Sequence, residues 1–363
     1  DAIEYTLENR DVSGILNIAA GRNLQFFTKT AEFYVPQAEN QALTPGNFTV
    51  RKADGVGTRV GTNVVNAGGV TAFIQAEGQS IQELALATGV EQTDKNSIYK
   101  AEDISTLSSH LIVTPVHLGF RKATSTNDPN LLLVVNSDGT LAICTIDRKN
   151  GTNAWTLRST DGLVKRVGVI GNEIYVMVER TINGVANRFI EKFNNNMQMD
   201  GAFLVTVDAA VTTVTGLATY FEGKEIGIVI DESIQNPKTV TGGSVTFDRA
   251  AAISYQIGLR YDPLIRPMPV ARNPDGGMNL AGKKRVLQVL AMLYETRWLE
   301  INDQPIGLQQ FGSEVLDQVL QPFTGRKTVD GLLGWSEEGQ FDITQGNIPA
   351  SMTLTGIEMQ VSL

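Results

Sequence analysis

His110 and His117 are the chain's only histidines and Cys144 its only cysteine, so imidazole acid–base work, a multi-histidine metal centre and thiol chemistry have very little to draw on. A spacing of seven puts the two histidines on opposite faces of a strand and supplies two ligands at most, which reads as two ordinary histidines at strand ends. A lone thiol forms no internal bridge, so disulfide scaffolds and zinc modules are excluded. The acidic pairs Asp231-Glu232 and Glu337-Glu338 have the residue types of a glycosidase dyad. Adjacent acids on a strand point to opposite faces, however, and both pairs read as solvated turns. Asn136-Ser137-Asp138-Gly139 starts like a calcium loop but lacks its later bidentate glutamate, and a hairpin turn accounts for it better. Lys283-Lys284-Arg285 is either a small basic patch for nucleic acid or a solvated strand start. Trp155, Trp298 and Trp335 are too dispersed for a sugar-stacking platform and read as core or interface anchors. The chain carries no G-x-S-x-G elbow, no H-E-x-x-H and no phosphate-binding P-loop. No catalytic, cofactor-binding or metal site is expected.

The elements that would position these residues are mostly strands. Asp54-Gly55, Asp138-Gly139, Asn150-Gly151, Asp161-Gly162 and Asn183-Gly184 supply the positive φ angles of tight β-turns. Between them run Leu131 to Val135, Leu141 to Ile146, Val164 to Ile170 and Ile174 to Val178, short and rich in β-branched residues. Segments 136–146 and 160–170 share a turn-then-strand pattern, a weak internal repeat. Ser80 to Ala87 and Tyr99 to Leu111 are expected to make short helical turns. Arg180 and Glu191 are expected to pair across the Asn183-Gly184 hairpin, a contact worth about 0.2–1 kcal/mol when exposed.

After Asn194 to Asp200 the chain turns to small Val/Thr-rich strands at Leu204 to Val207, Val211 to Val214, Ile226 to Ile230 and Ser244 to Phe247. They suggest an inserted β-sandwich or barrel. Pro263, Pro267, Pro269 and Pro274, with Asp275-Gly276-Gly277, mark a linker. Residues 285–298 fit a helical face or a strand face equally, and Ile348 to Leu363 alternates like a terminal strand. The expected fold is therefore mainly β with few short helices: a propeller-like multi-sheet unit over 1–195, the inserted sandwich or barrel over 196–262, and a C-terminal β segment over 263–363.

The 363 residues carry a formal charge of −9, with 42% hydrophobic and 19% charged side chains. That balance disfavours a basic face gripping phosphates, and so few charges suit a surface partly covered by partners. No stretch approaches the roughly 20 apolar residues of a membrane helix. Residue 1 is Asp without a signal-peptide pattern after it, and a start inside a longer protein is the favoured expectation.

Several passages in order resemble the tail nozzle proteins of short-tailed bacteriophages, the tail tubular protein B or tail stabilisation family. They begin with Gly14 to Ala20, Leu24-Gln25-Phe26-Phe27-Thr28 and Ala31-Glu32-Phe33-Tyr34. Leu43-Thr44-Pro45, Gly69 to Gln75, Gly78, Gln82-Glu83-Leu84, Tyr99, Glu102-Asp103-Ile104-Ser105 and Leu107 to Leu111 follow. Then come Val134 to Leu141, Trp155, Thr160-Asp161-Gly162, Ile174 to Arg180, Asn183-Gly184 and Arg188-Phe189-Ile190-Glu191. Leu217, Glu222-Gly223, Gly258-Leu259-Arg260-Tyr261, Gly282-Lys283-Lys284-Arg285 and Phe323-Thr324-Gly325 continue the order. Each element is also a generic β-turn; it is the ordered set that carries the resemblance. Family members are usually longer at the N-terminus, so the chain looks like a cleavage product, a truncated form or a short member.

The resemblance implies a virion protein assembled in the host cytoplasm: a hexameric ring at the distal end of the tail, with DNA passing through its axial channel. It implies a propeller-like domain on each subunit, an adaptor ring above, fibres or spikes at the side, a strand over 285–294 and a ring or channel segment over 263–363. Residues 271–363 hold seven Lys/Arg against eleven Asp/Glu. On this reading Glu337, Glu338 and Asp342 face the lumen and keep DNA from adhering, while Lys283, Lys284 and Arg285 sit at a subunit contact or constriction. The competing reading is a cell-surface carbohydrate-binding propeller or sandwich protein.

Overall fold

The computed structural model describes residues 4, 14–36, 42–86, 99–125, 128–270, 282–309, 319–331 and 334–362. The chain divides into two units, Asp1–Phe193 and Asn194–Leu363; the expected segments 196–262 and 263–363 lie together in the second. Pro274 and Asp275-Gly276-Gly277 lie outside the described residues.

The first unit is a succession of antiparallel meander sheets in chain order. Sheet one holds β1 (Ile15–Ala20), β2 (Leu24–Thr28), β3 (Glu32–Val35) and β4 (Arg51–Asp54). Sheet two holds β5 (Val65–Asn66), β6 (Thr71–Ile74), β7 (Ile81–Leu86) and β8 (Tyr99–Asp103). Sheet three holds β9 (Pro115–Arg121), β10 (Asn130–Asn136), β11 (Leu141–Asp147) and β12 (Thr152–Arg158), and sheet four β13 (Leu163–Ile170), β14 (Glu173–Ile182) and β15 (Val185–Lys192). Each sheet packs on the next. Phe27 and Tyr34 meet Phe73, Leu84 and Tyr99; Ala72, Ile74 and Ile81 meet Leu132, Val134 and Cys144; Leu133 and Val135 meet Val164, Val167 and Val176. The β14–β15 hairpin turns on Asn183 and Gly184 at φ 50° and 79°, the two positive angles of a type I′ turn.

Where helical turns are expected at Ser80 to Ala87, the chain forms β7 instead, and Ala87 lies outside the described residues. Ile81 to Leu84 are all buried between two sheets, so the Gln82-Glu83 pair that breaks the apolar run is inside. Glu83 is satisfied there by the two terminal guanidinium nitrogens of Arg148, each at 2.7 Å. Tyr99 to Leu111 divides into β8 and a 3₁₀ turn at Thr106–Leu111. Asp103 shapes the junction by accepting hydrogen bonds from the Ser105 backbone and hydroxyl, both at 2.7 Å.

The second unit opens with a sandwich; neither of its sheets closes into a barrel. Its strands are β16 (Asp200–Thr206), β17 (Val211–Thr215), β18 (Glu225–Ile230), β19 (Ser233–Thr239), β20 (Ser244–Ala251) and β21 (Ser254–Leu259). A β16-β21-β18-β19 sheet packs Ile226, Ile228 and Ile257 against Val214, Val245 and Phe247 of the β17-β20 pair. Next come β22 (Arg285–Thr296), β23 (Glu300–Ile301), β24 (Gln304–Pro305), β25 (Phe323–Asp330), β26 (Ile343–Thr344) and β27 (Leu354–Ser362), forming sheets β25-β22-β27 and β24-β23-β26. Residues 285–296 are thus a strand, with Val289, Ala291 and Leu293 alternating into a core shared with Ile301, Phe341 and Ile343. The expected partner Leu287 is 36% exposed. A register shift between Val286 and Gln288 changes the phase and puts Val286 inside in its place. The terminal strand starts at Leu354 rather than Ile348, and a second shift at Met292/Leu293 lets Leu354 and Ile357 face the same core.

Arg180 and Glu191 do pair, at 2.8 Å. Arg180 lies opposite Asn187 and Glu191 opposite Val176, so the guanidinium reaches along the hairpin. It is 2% exposed and also donates to the Thr160 hydroxyl at 3.1 Å and to the Asp161 carbonyl. The Cβ that Gly162 lacks would stand 2.9 Å from the Glu179 carbonyl oxygen and 3.0 Å from Arg180 Cγ, so glycine is required where that loop crosses the arginine. Burial raises the expected cost of losing the pair, because truncation strands a carboxylate and a carbonyl. Arg180→Ala is expected to lower unfolding stability by about 2–3 kcal/mol in urea titrations, against under about 0.5 kcal/mol for the exposed Arg188→Ala.

Candidate functional site

The candidate residues converge on one short stretch of the second unit, where the start of β22 lies against residues 334–342. Lys284 and Ser336 exchange backbone hydrogen bonds at 2.7 and 2.8 Å. Strand alternation then turns Lys284 inward and leaves Lys283 and Arg285 exposed. Lys284 is 1% exposed, and its ammonium donates to the Glu337 carbonyl at 2.7 Å. Gly339, at φ 62°, passes over its stem, where a Cβ would come within 3.2 Å of Lys284 Cβ. Lys284 therefore fastens the 334–342 segment to β22 and presents no charge at the surface.

Glu337 and Glu338 are exposed. Asp342 is not a third member of a negative patch, because the Arg266 guanidinium grips its carboxylate through two bonds at 2.5 and 2.6 Å. That contact holds the Asp342 carboxyl below the usual carboxylate range. Asn302 brackets the same residue, its side-chain oxygen accepting the Asp342 N–H and its own N–H donating to the Asp342 carbonyl, both at 2.9 Å. The structure thus brings Lys283, Arg285, Glu337 and Glu338 together as exposed charges and takes Lys284 and Asp342 into the fold. Arg266, 76 residues from its partner in a Pro-rich stretch, carries no local sequence signal.

The other chemical candidates are occupied by structure. The Cys144 thiol is buried in the core, and burial with the Glu83 charge nearby pushes it up to about 12. His117 sits within β9, its Nδ1 without a hydrogen-bond partner, and burial followed by the Arg166 charge lowers its pKa. His110 lies in the 3₁₀ turn rather than at a strand end. Asp231 is no solvated turn residue, since it accepts from the backbone N–H groups of Ala252, Ile253 and Ser254 at 2.8–3.0 Å. Those bonds depress its pKa. Asn136 spends its amide on Thr140 within the hairpin and on Leu111 and Val113 in the segment before β9. The Trp155 indole donates to the Ile104 carbonyl at 2.9 Å and that of Trp298 to Glu300 at 3.1 Å, while Trp335 is 53% exposed. Among the described residues no group of three or more His, Cys, Asp or Glu side chains is placed to hold a metal ion. A cleft of about 570 Å³ opens in the second unit between the outer face of the β16-β21-β18-β19 sheet, at Val229 and Gln256, and Glu295, Arg297 and Ser351.

Glu32 on β3 is a titratable group that the sequence reading passes over. It is fully buried, and Oε2 has no hydrogen-bond partner. Desolvation raises its pKa from 4.5 to about 7; hydrogen bonds from Gly57 and Thr58 oppose the shift and the Asp54 charge adds to it.

Lys284→Ala is expected to cost about 2–3 kcal/mol of stability and Lys283→Ala less than about 0.5 kcal/mol, read from urea midpoints. For Glu32, the folded chain holds a proton that the unfolded chain releases above its ordinary value, so the contribution is fully present below about pH 4.5 and is lost as pH rises through about 7. Wild type should lose up to about 3 kcal/mol between pH 4.5 and 8 from this group. Glu32→Gln should remove that slope and be the more stable protein at pH 8, as measured by urea unfolding at the two pH values.

No protein-family model matches the chain, and none of the curated proteins is significantly similar to it.

Proposed function

We propose that the chain is a structural virion protein, a subunit of the nozzle ring that ends a short phage tail and conducts DNA during ejection. The observation that supports this reading is the architecture in chain order: a run of meander sheets, then a sandwich, then a sheet built on a 12-residue strand. That order agrees with the ordered sequence resemblance to the tail nozzle family. The partners on this reading are further copies of the chain in a hexameric ring, the adaptor ring, a fibre or tailspike, and DNA in transit.

A conduit must not hold its cargo, because each Lys or Arg that neutralises a phosphate releases counterions and adds affinity. The acidic balance of the chain suits that requirement. Exposed Glu337 and Glu338 are the lumen candidates that remain, with Lys283 and Arg285 at a subunit contact or constriction. Lys284 and Asp342 drop out of that role through their buried and paired positions.

A second reading, carbohydrate binding, draws on the cleft, whose Gln256, Glu232, Glu295 and Arg297 have the planar polar groups that meet sugar hydroxyls. Among the described residues no aromatic side chain lines it, and an aromatic stacking face is what would fix a sugar ring.

Mass photometry of the purified chain is expected to show particles of six times the chain mass, and filter binding at low salt no appreciable affinity for duplex DNA. Monomers that bind on a glycan array would favour the second reading. Tight, salt-sensitive DNA binding would overturn the non-adhesive conduit.

A further inference from the structure

In the β25-β22-β27 sheet, no further strand among the described residues pairs with either outer edge. Both edge strands are long, at eight and nine residues, about 25–30 Å of backbone each. Glu358 is the single charge on β27, and Met359 is 37% exposed. The β27 edge has neither proline nor lysine and is a ready template for another strand, whereas the β25 edge carries Arg326 and Lys327; proteins normally cover or blunt long edges.

We propose that the two edges cover each other between copies of the chain, β27 of one copy pairing in parallel with β25 of the next. This rests on the ring reading and names the contact that would build it. Direction comes from topology. Both strands run antiparallel to β22 and hence parallel to each other, so a rotation that lays one copy's β25 beside its neighbour's β27 gives a parallel ladder. Such a contact joins unlike surfaces and repeats from copy to copy, as a closed ring requires. Two-fold pairing of β27 with itself would instead be antiparallel.

Charge favours the unlike pairing. Arg326 lies opposite Met292 and Glu358 opposite Leu290. The two occupy neighbouring rows on the exposed side of the sheet, the side away from Val289, Ala291 and Leu293. Side by side in successive copies, they come within diagonal cross-strand reach. Self-pairing of β27 about its centre would set Glu358 opposite Glu358 and leave the basic Arg326 edge uncovered.

Cysteine cross-linking tests this directly, because Cys144 is fully buried and the introduced thiols are the accessible ones. Four double variants combine Arg326→Cys or Thr328→Cys on β25 with Glu358→Cys or Gln360→Cys on β27, in the full-length chain under mild oxidation. At least one double variant should give a ladder of dimer, trimer and higher species on a non-reducing gel, while each single variant stays monomeric. A separate charge test guards against variants that fold poorly. Glu358→Arg should weaken self-association about tenfold, and adding Arg326→Glu should restore it. Dimers from single variants without ladders would overturn the proposal in favour of two-fold pairing. Multi-copy particles in mass photometry with no cross-link in any double variant would overturn this contact and leave the ring reading standing. Monomers under all conditions would overturn both.

Discussion

The burial of β10 on both faces is the constraint on which the first unit depends. Leu132 and Val134 face the core shared with sheet two, while Leu133 and Val135 face the core shared with sheet four. A strand with no solvent side needs an apolar layer on each side of it, so sheets two and four have to lie on opposite faces of sheet three. The remaining features follow from that layering. Polar side chains caught between layers bring their own partners, as Arg148 does for Glu83 and Gln25 for Thr71. Glu32 Oε2, like His117 Nδ1, is enclosed without a hydrogen-bond partner.

Turns and alternation made much of this architecture legible in the sequence. Asn183-Gly184 encodes its own backbone geometry, and β-branched runs between such pairs are strands whatever surrounds them. The failures have physical causes of the opposite kind. Gln82-Glu83 reads as a polar surface break because nothing local announces Arg148, 65 residues away, which allows Glu83 to be buried, while Gln82 donates to the Ser80 hydroxyl. The phase of β22 could not be read because a one-residue register shift moves Leu287 from core to surface. Arg180 and Glu191 were correctly paired, yet their burial depends on the loop at Thr160 and Asp161 closing over them.

The candidate site shows the same division. The sequence assigns the acids of 337–342 to a lumen and the bases of 283–285 to a subunit contact or constriction, and does not announce the strand pairing between Lys284 and Ser336 that brings the two groups together. Which charges remain available to a partner depended on contacts at long sequence separation, chiefly Arg266 on Asp342. Lys284 and Asp342 are spent on contacts within the chain, so the sequence count overstates the charge this stretch can offer a partner.

The serial layering of the first unit has a consequence for how it comes apart. Each sheet shares its core with its neighbours in chain order: one with two, two with three and three with four. Cohesion is then a sum of nearest-neighbour terms, as in a linear array of coupled repeats. Weakening sheet four frays one end of the array and leaves the rest intact. An equal loss within sheet three removes two couplings at once and cuts the array in two, so the same energetic injury has different reach depending on where in the stack it falls.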